Sequence, residues 1–320
     1  MLLGIFLLSV RQEAYGQVDT NTALGGAYVN PNNVNAMPNI GSGDNNSAFG
    51  NNALNLNVTA SDNNAFGNSA LRINQLGEAN NAFGSHALEN NQNGSGNNAF
   101  GFNTLLNNGA AGSFDASDNN AFGNSALQDN QTGNSNTAVG ESALRLNVDG
   151  SENVAVGKNS LRNNAGGNQN VAVGQLALTN NLTGNQNTSI GDNSNNFALG
   201  LTPNPNQTTA LGADTLASAN NATALGYAAN ALHAGSTAIG TGATTTRANQ
   251  VVVGTVSDTY TMPGINSAAS SAAQSGPTQF VTTDANGNLA SDNGATSIII
   301  NKNTAGIAGA FALSGIPEVL

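Results

Sequence analysis

A short string, Ala-Phe-Gly or a near variant, returns along the chain at a fixed distance. Its glycines are Gly50, Gly67, Gly84, Gly101, Gly123, Gly140, Gly157, Gly174 and Gly191, spaced by 17 residues except for one interval of 22. Gly212, Gly226, Gly240 and Gly254 follow at intervals of 14. A constant period of this size is the mark of stacked supersecondary units, each of which buries its apolar side only against its neighbours. It also decides how the composition is read. With 58 Asn and 39 Gly among 320 residues, only 8% charged and 5% aromatic, the chain would otherwise pass for a disordered, Asn-rich tract. The long interval is one period with five extra residues, placed around Ala110 to Phe114 as a loop bulging from one turn of the repeat.

Four columns recur relative to the glycine. The residue before it is apolar: Phe49, Phe66, Phe83, Phe100 and Phe122, then Val139, Val156, Val173, Ile190, Leu211, Leu225, Ile239 and Val253. Four residues after it stands Leu, at Leu54, Leu71, Leu88, Leu105, Leu127, Leu144, Leu161, Leu178 and Leu216. Asn lies four before it, from Asn46 to Asn187, and seven after it, from Asn57 to Asn181. Helical repeats need some 30 residues and good helix formers, whereas Gly and Asn punctuate this chain every few positions. Two short strands per 17 residues fit better. In a β-solenoid each strand pairs in parallel with its equivalent one coil away, about 4.8 Å along the axis, so that identical residues stack.

This arrangement predicts that the Phe/Val and Leu columns form continuous apolar spines. The Asn amides are expected to bond up and down the stack at the turns, where Asn and Gly accept positive φ. Fourteen coils between Gly50 and about Gly254 would span roughly 65 to 70 Å at that rise. A coil with one large residue per strand buries little apolar area to offset about 1–2 kcal/mol per residue of backbone ordering, so self-association is the natural remedy. The column pattern does not set the number of subunits.

Charge and composition exclude several classes. Seven Lys and Arg against 18 Asp and Glu give −11, the wrong sign for nucleic-acid binding. There is no Cys, hence neither a disulfide framework nor a thiolate metal site. Leu2 to Val10 is a nine-residue apolar run, too short to cross a membrane but suited to the core of a signal peptide, with Ala14 and Gly16 as the small residues before a cut at Gln17. Export is expected.

The runs Glu152-Asn-Val-Ala-Val-Gly157, Gln169-Asn-Val-Ala-Val-Gly174, Ser236-Thr-Ala-Ile-Gly240 and Asn136-Thr-Ala-Val-Gly140 resemble the head repeats of trimeric autotransporter adhesins, the YadA-like family, whose motif reads Asn-Ser-Val-Ala-Ile-Gly. The similarity covers roughly Thr22 to Gly254. The 14-residue spacing is that family's usual head period, and the 17-residue, Phe-rich coils depart from it. The resemblance implies an all-β, left-handed parallel β-roll or β-solenoid formed by three identical chains, with a short C-terminal neck and helical segment.

It also implies a division into a signal peptide at 1–16, a repeat head at 17–254, a neck and hairpin at 255–291, and the start of a stalk or anchor at 292–320. Asn249-Gln-Val-Val-Val-Gly254 reads as the last head coil, Thr259 to Ile265 as a short strand and turn leaving the roll, and Asp284-Ala-Asn-Gly287 as a hairpin turn between Phe280–Thr283 and Asn288–Ser291. Ile298 to Ile300, Ile307 and Phe311 form a weak helical stripe. The family's outer-membrane anchor would continue as four alternating strands that do not follow before Leu320, so either a longer chain continues it or the protein is released.

Chemistry has few candidates. His86 and His233 occupy variable repeat positions and read as surface residues, and no nucleophile elbow, P-loop or metal-spaced cluster is present. No enzyme activity and no cofactor are expected. Asp44, Asp62, Glu78 and Asp118 precede the turns as one carboxylate per coil, thin coordination for Ca²⁺ and well suited to keeping an acidic rod soluble. In the resembled family the motif has been tied to collagen and other matrix proteins. Carried over residue by residue, that implicates Asn153, Val154, Ala155, Val156 and Gly157 with Asn170, Val171, Ala172, Val173 and Gly174 as ligand contacts, alongside a structural reading of the same residues. The expected function is thus a cell-surface adhesin passenger, a homotrimer attaching to matrix, cells or abiotic surfaces. A phage-type tail fibre or other appendage rod is the alternative. An ice- or polysaccharide-binding solenoid would need a regular Thr ladder, and a lyase-like solenoid would need longer coils.

Overall fold

The computed structural model describes residues 22–24, 43–109, 116–195, 204–263, 268–273, 281–283 and 287–291. The chain divides after Asp258 into two compact units. The first is a parallel β-solenoid. One sheet of 14 strands runs through it, each strand three residues long and paired to its equivalent in the next coil. The register keeps the columns intact: Asn64, Ala65 and Phe66 face Asn81, Ala82 and Phe83. Across the long interval Asn98 to Phe100 still pair with Asn120 to Phe122, and across the change of period Thr188 to Ile190 pair with Thr209 to Leu211. The longer intervals therefore leave the ladder's register undisturbed. The bulge expected at Ala110 to Phe114 lies outside the described residues, as do the signal segment and the Ile298 to Phe311 stripe. A second sheet of seven two-residue strands, from Leu56–Asn57 to Asn163–Asn164, closes the other side of the 17-residue coils.

The core is narrower than the columns suggest. Only the middle residue of each long-sheet strand points inward, and it is Ala at Ala48, Ala65, Ala82, Ala99, Ala121, Ala138, Ala155 and Ala172. Against these pack the leucines from Leu54 to Leu178, all fully buried. The Leu spine is thus internal as expected. The Phe/Val spine is not: alternation along a strand sends residues i and i+2 to the same face, so with Ala inside, the residues either side of it face out.

Both Asn columns are fully buried, inside the coil rather than on its turns. Asn74 Nδ2 donates to Asn57 Oδ1 (3.1 Å) and to the Gly77 carbonyl (2.7 Å). Asn63 Nδ2 reaches the same Gly77 carbonyl at 2.9 Å and Asn46 Oδ1 at 3.2 Å. The two ladders thus clamp one main-chain carbonyl per coil. Positive φ falls elsewhere than expected. The repeat glycines have it, Gly157 at 129° for example, where a Cβ would also sit 2.6 Å from the Gly174 carbonyl oxygen of the next coil. The ladder asparagines do not have it, whereas Asn195, which stands at the leucine-column position after Gly191, does. The leucine column does, from 47° at Leu161 to 50° at Leu88, a conformation unfavourable for a bulky side chain and held here by burial and by bonds such as Leu71 N–H to the Ala87 carbonyl.

Where the period changes, the core changes chemistry. The first apolar cluster ends at Leu178 and a second, almost all Ala, runs from Ala210 to Ala243. Between them lies a buried polar layer of Ser189, Ser194, Asn195 and Thr208. Asn187 Nδ2 donates to Asn181 Oδ1 (3.4 Å), Thr208 Oγ1 to Asn187 Oδ1 (2.7 Å) and Asn195 Nδ2 to Thr208 Oγ1 (3.0 Å). Both ladders therefore terminate on one another instead of on an orphaned amide.

In the second unit, Val281–Thr283 and Leu289–Ser291 pair antiparallel, the expected turn residues Asp284 to Asn286 lying outside the described residues, and Ala268–Ala273 is a six-residue helix. The short strand expected at Thr259 to Ile265 is not formed between Thr259 and Pro263. Tyr260 and Met262 are exposed there, with no β-partner to hold an extended segment.

Candidate functional site

The outer face of the long sheet carries two parallel columns. In the first, Phe49, Phe66, Phe83, Phe100 and Phe122 stack ring on ring, with centroids 4.8–5.0 Å apart and planes within 5° from Phe66 to Phe122. Strand spacing imposes this offset, and stacked rings at such distances attract one another. Each ring nevertheless keeps its edge in the open, with Phe122 42% and Phe49 50% exposed. The column continues through Val139, Ile190, Leu225 and Val253, also exposed.

Two residues back on each strand lies the second column. Asn64, Asn81, Asn98 and Asn120 form an amide ladder there, Nδ2 to Oδ1 at 2.7–2.9 Å. Farther on, Thr188, Thr209, Thr223 and Thr237 occupy four successive rungs. A threonine column is therefore present in the later coils, contrary to expectation. It went unseen because Asn and Val fill most of the same position earlier.

The residues singled out for ligand contact fall into two sets. Asn153, Asn170, Ala155 and Ala172 are fully buried. Asn170 Nδ2 donates to Asn153 Oδ1 (3.0 Å) and to the Gly184 carbonyl (2.9 Å), so these four side chains belong to the core and its ladder. Val154, Val156, Val171 and Val173 point outward on adjacent rungs, and Gly157 and Gly174 turn the chain after them. What the two runs can offer from outside is thus a patch of valine continuous with the phenylalanine stripe.

His86 is not an isolated surface residue. Its Nδ1 lies 2.7 Å from Glu89 Oε2, whose other oxygen accepts from Arg72 Nε at 2.6 Å, and its ring meets Phe102 edge-on. Burial raises the Glu89 carboxyl, and the bonds and charges of Arg72 and His86 outweigh it, leaving its pKa below the ordinary value. His233 is exposed. Asp62 and Asp118 are exposed, and Asp62 Oδ1 accepts from Asn45 Nδ2 at 3.0 Å. Among the described residues no three His, Asp or Glu side chains come together as metal ligands, and no helix is long and apolar enough to cross a membrane.

No curated protein and no solved structure matches the chain. The YadA head domain repeat matches twice, at residues 206–229 and 217–243. These residues hold the coils in which the period has settled to 14 and the strands read Thr-Ala-Leu and Thr-Ala-Ile. Within the parallel β-solenoid established around them, the coils at 206–243 are thus similar to the YadA head domain repeat.

Proposed function

We propose that this chain is the exported passenger of a trimeric autotransporter adhesin, in which three copies associate through the outer face of the long sheet and the assembled head attaches to an extracellular matrix protein such as collagen, or to another cell or surface. One observation carries the reading: an apolar column faces outward, exposed or half-exposed, from Phe49 to Val253, in a solenoid whose coils at 206–243 match the YadA head repeat. A contiguous apolar surface of that length favours burial against another surface. A second copy offers the same columns at the same axial spacing. In this reading Val154, Val156, Val171 and Val173 serve self-association, and ligand contact falls to the polar, variable sides of the coils, repeated three times for avidity.

The test is the solution mass of residues 17–320 by light scattering, with circular dichroism on the same peak. A β-rich species of three chain masses is expected. Phe83→Glu with Phe100→Glu, which adds charge at positions already 36% and 37% exposed, should reduce it to one chain mass with the β signal kept. A β-rich wild-type monomer would overturn the assembly. Binding of the trimer to immobilised collagen above a serum albumin control tests the attachment separately.

A further inference from the structure

Cations are scarce on this chain, and two of those described are neutralised by carboxylates. Arg72 pairs with Glu89, and Lys158 Nζ lies 2.9 Å from Glu141 Oε2. Arg145 and Arg162 are different. They hold the same position in successive coils: the Leu146 N–H donates to the Arg162 carbonyl at 2.9 Å, and the strands that follow them pair in parallel. The two side chains therefore start one strand spacing apart, about 4.8 Å. Among the described residues neither has a carboxylate partner. Arg145 Nε donates to Gln128 Oε1 at 3.1 Å, while Arg162 Nε is buried with no acceptor. Like charges on directly opposed rungs repel, and a guanidinium N–H shut away from water without an acceptor is costly. An oxyanion accepting from the two planar forks would offset that repulsion, the geometry for which guanidinium is suited.

We propose that Arg145 and Arg162 form an oxyanion site for an acidic glycan, taking a sulfate or carboxylate group of the polysaccharide. The surroundings favour a glycan over other polyanions. Amides lie beside the pair, Gln128 one rung back and Asn163, next to Arg162 in the chain and bonded to Asn180 at 2.9 Å, which suit hydroxyl groups. Glu141, Asp149 and Glu152, in the same stretch of coils, are exposed, and with the net charge of −11 they oppose a continuous phosphate chain. The pair precedes the second sheet's strands and lies off the face assigned to self-association, so the two readings fail separately.

The experiment titrates the full chain, in its native oligomeric state, with a heparin-derived hexasaccharide, a polygalacturonate oligomer and neutral dextran. Either acidic oligosaccharide is expected to bind and dextran not, the carboxylate and sulfate probes separating the two anion sources. Arg145→Gln or Arg162→Gln should weaken binding about tenfold or more, the scale of a lost charge-assisted bond. Arg162→Lys should recover part of it, and Arg72→Gln should leave it unchanged. Arg145 is solvent-accessible, so its variant keeps the test valid if the Arg162 variants misfold. Absence of binding to both acidic probes, an Arg145→Gln variant that binds like wild type, or an equal loss in Arg72→Gln would overturn the site. Binding of poly-glutamate in place of both glycans would overturn its assignment to a glycan.

Discussion

An internal amide in this protein serves two directions at once. Asn147 Nδ2 donates along the stack to Asn130 Oδ1 and across the coil to the Gly150 carbonyl, both at 2.7 Å, while its own oxygen accepts from Asn164 at 2.7 Å. Removing it strips partners from buried groups that water cannot reach, so Asn147→Ala should cost about 1–3 kcal/mol plus a small cavity term. Asn147→Asp should cost more at neutral pH, because a carboxylate cannot donate and would face two acceptors. Urea unfolding with unchanged m-values checks both, and an Asp variant as stable as wild type would sink the account. Glu89 gives a pH signature. Its carboxyl pKa is lowered in the folded state, so its contribution is fully present above the ordinary carboxylate value and is lost as pH falls through the lowered one. The difference in thermal midpoint between wild type and Glu89→Gln should therefore be largest near neutrality and shrink in acid. A difference that grows in acid would contradict the sign.

At the scale of the coil, what matters is phase. Since every strand faces its equivalent one coil away, removing one whole repeat, residues 141–157, returns each column to register. Such a deletion should leave a folded, somewhat less stable solenoid, as expected of a quasi-one-dimensional array. Removing residues 141–149 shifts Asn, Ala and Leu off their ladders and should abolish the cooperative transition; circular dichroism melts distinguish the two. This periodicity is why the parallel solenoid could be read from sequence: Gly spacing, two Asn columns and the Leu column are all visible as text. Which face each column takes was not, because one-residue phase decides it and the three-residue strand is too short to show alternation. Phe66 looked like core by hydrophobicity, yet Ala65 is the inward residue. The polar layer at Ser189, Asn195 and Thr208 was equally hidden, since each looks like a tolerated departure until their shared bonds are seen. That layer carries little apolar area, and amides around Thr188 to Ala217 should exchange faster than those near Leu127 or Ala224. Uniform protection across Asn187 to Thr215 would contradict it.

For the whole molecule, two forces of opposite sign act on any assembly. In the proposed assembly the Phe49-to-Val253 stripe would draw copies together through burial of apolar area, which is insensitive to ionic strength to first order. A net charge of −11 on each chain pushes them apart, and that repulsion is screened over a Debye length of about 10 Å at 0.1 M salt and 30 Å at 0.01 M. Self-association through the stripe should therefore strengthen as salt rises, and sulfate should promote it further by favouring apolar burial. Assembly through ion pairs such as Lys158–Glu141 would do the reverse, since exposed pairs weaken on screening. Sedimentation velocity at 10, about 100 and about 500 mM NaCl separates the two: a larger assembled fraction at high salt is the expected result. A fraction that falls with salt would move the interface away from the phenylalanine ladder and onto the charged sides of the coils.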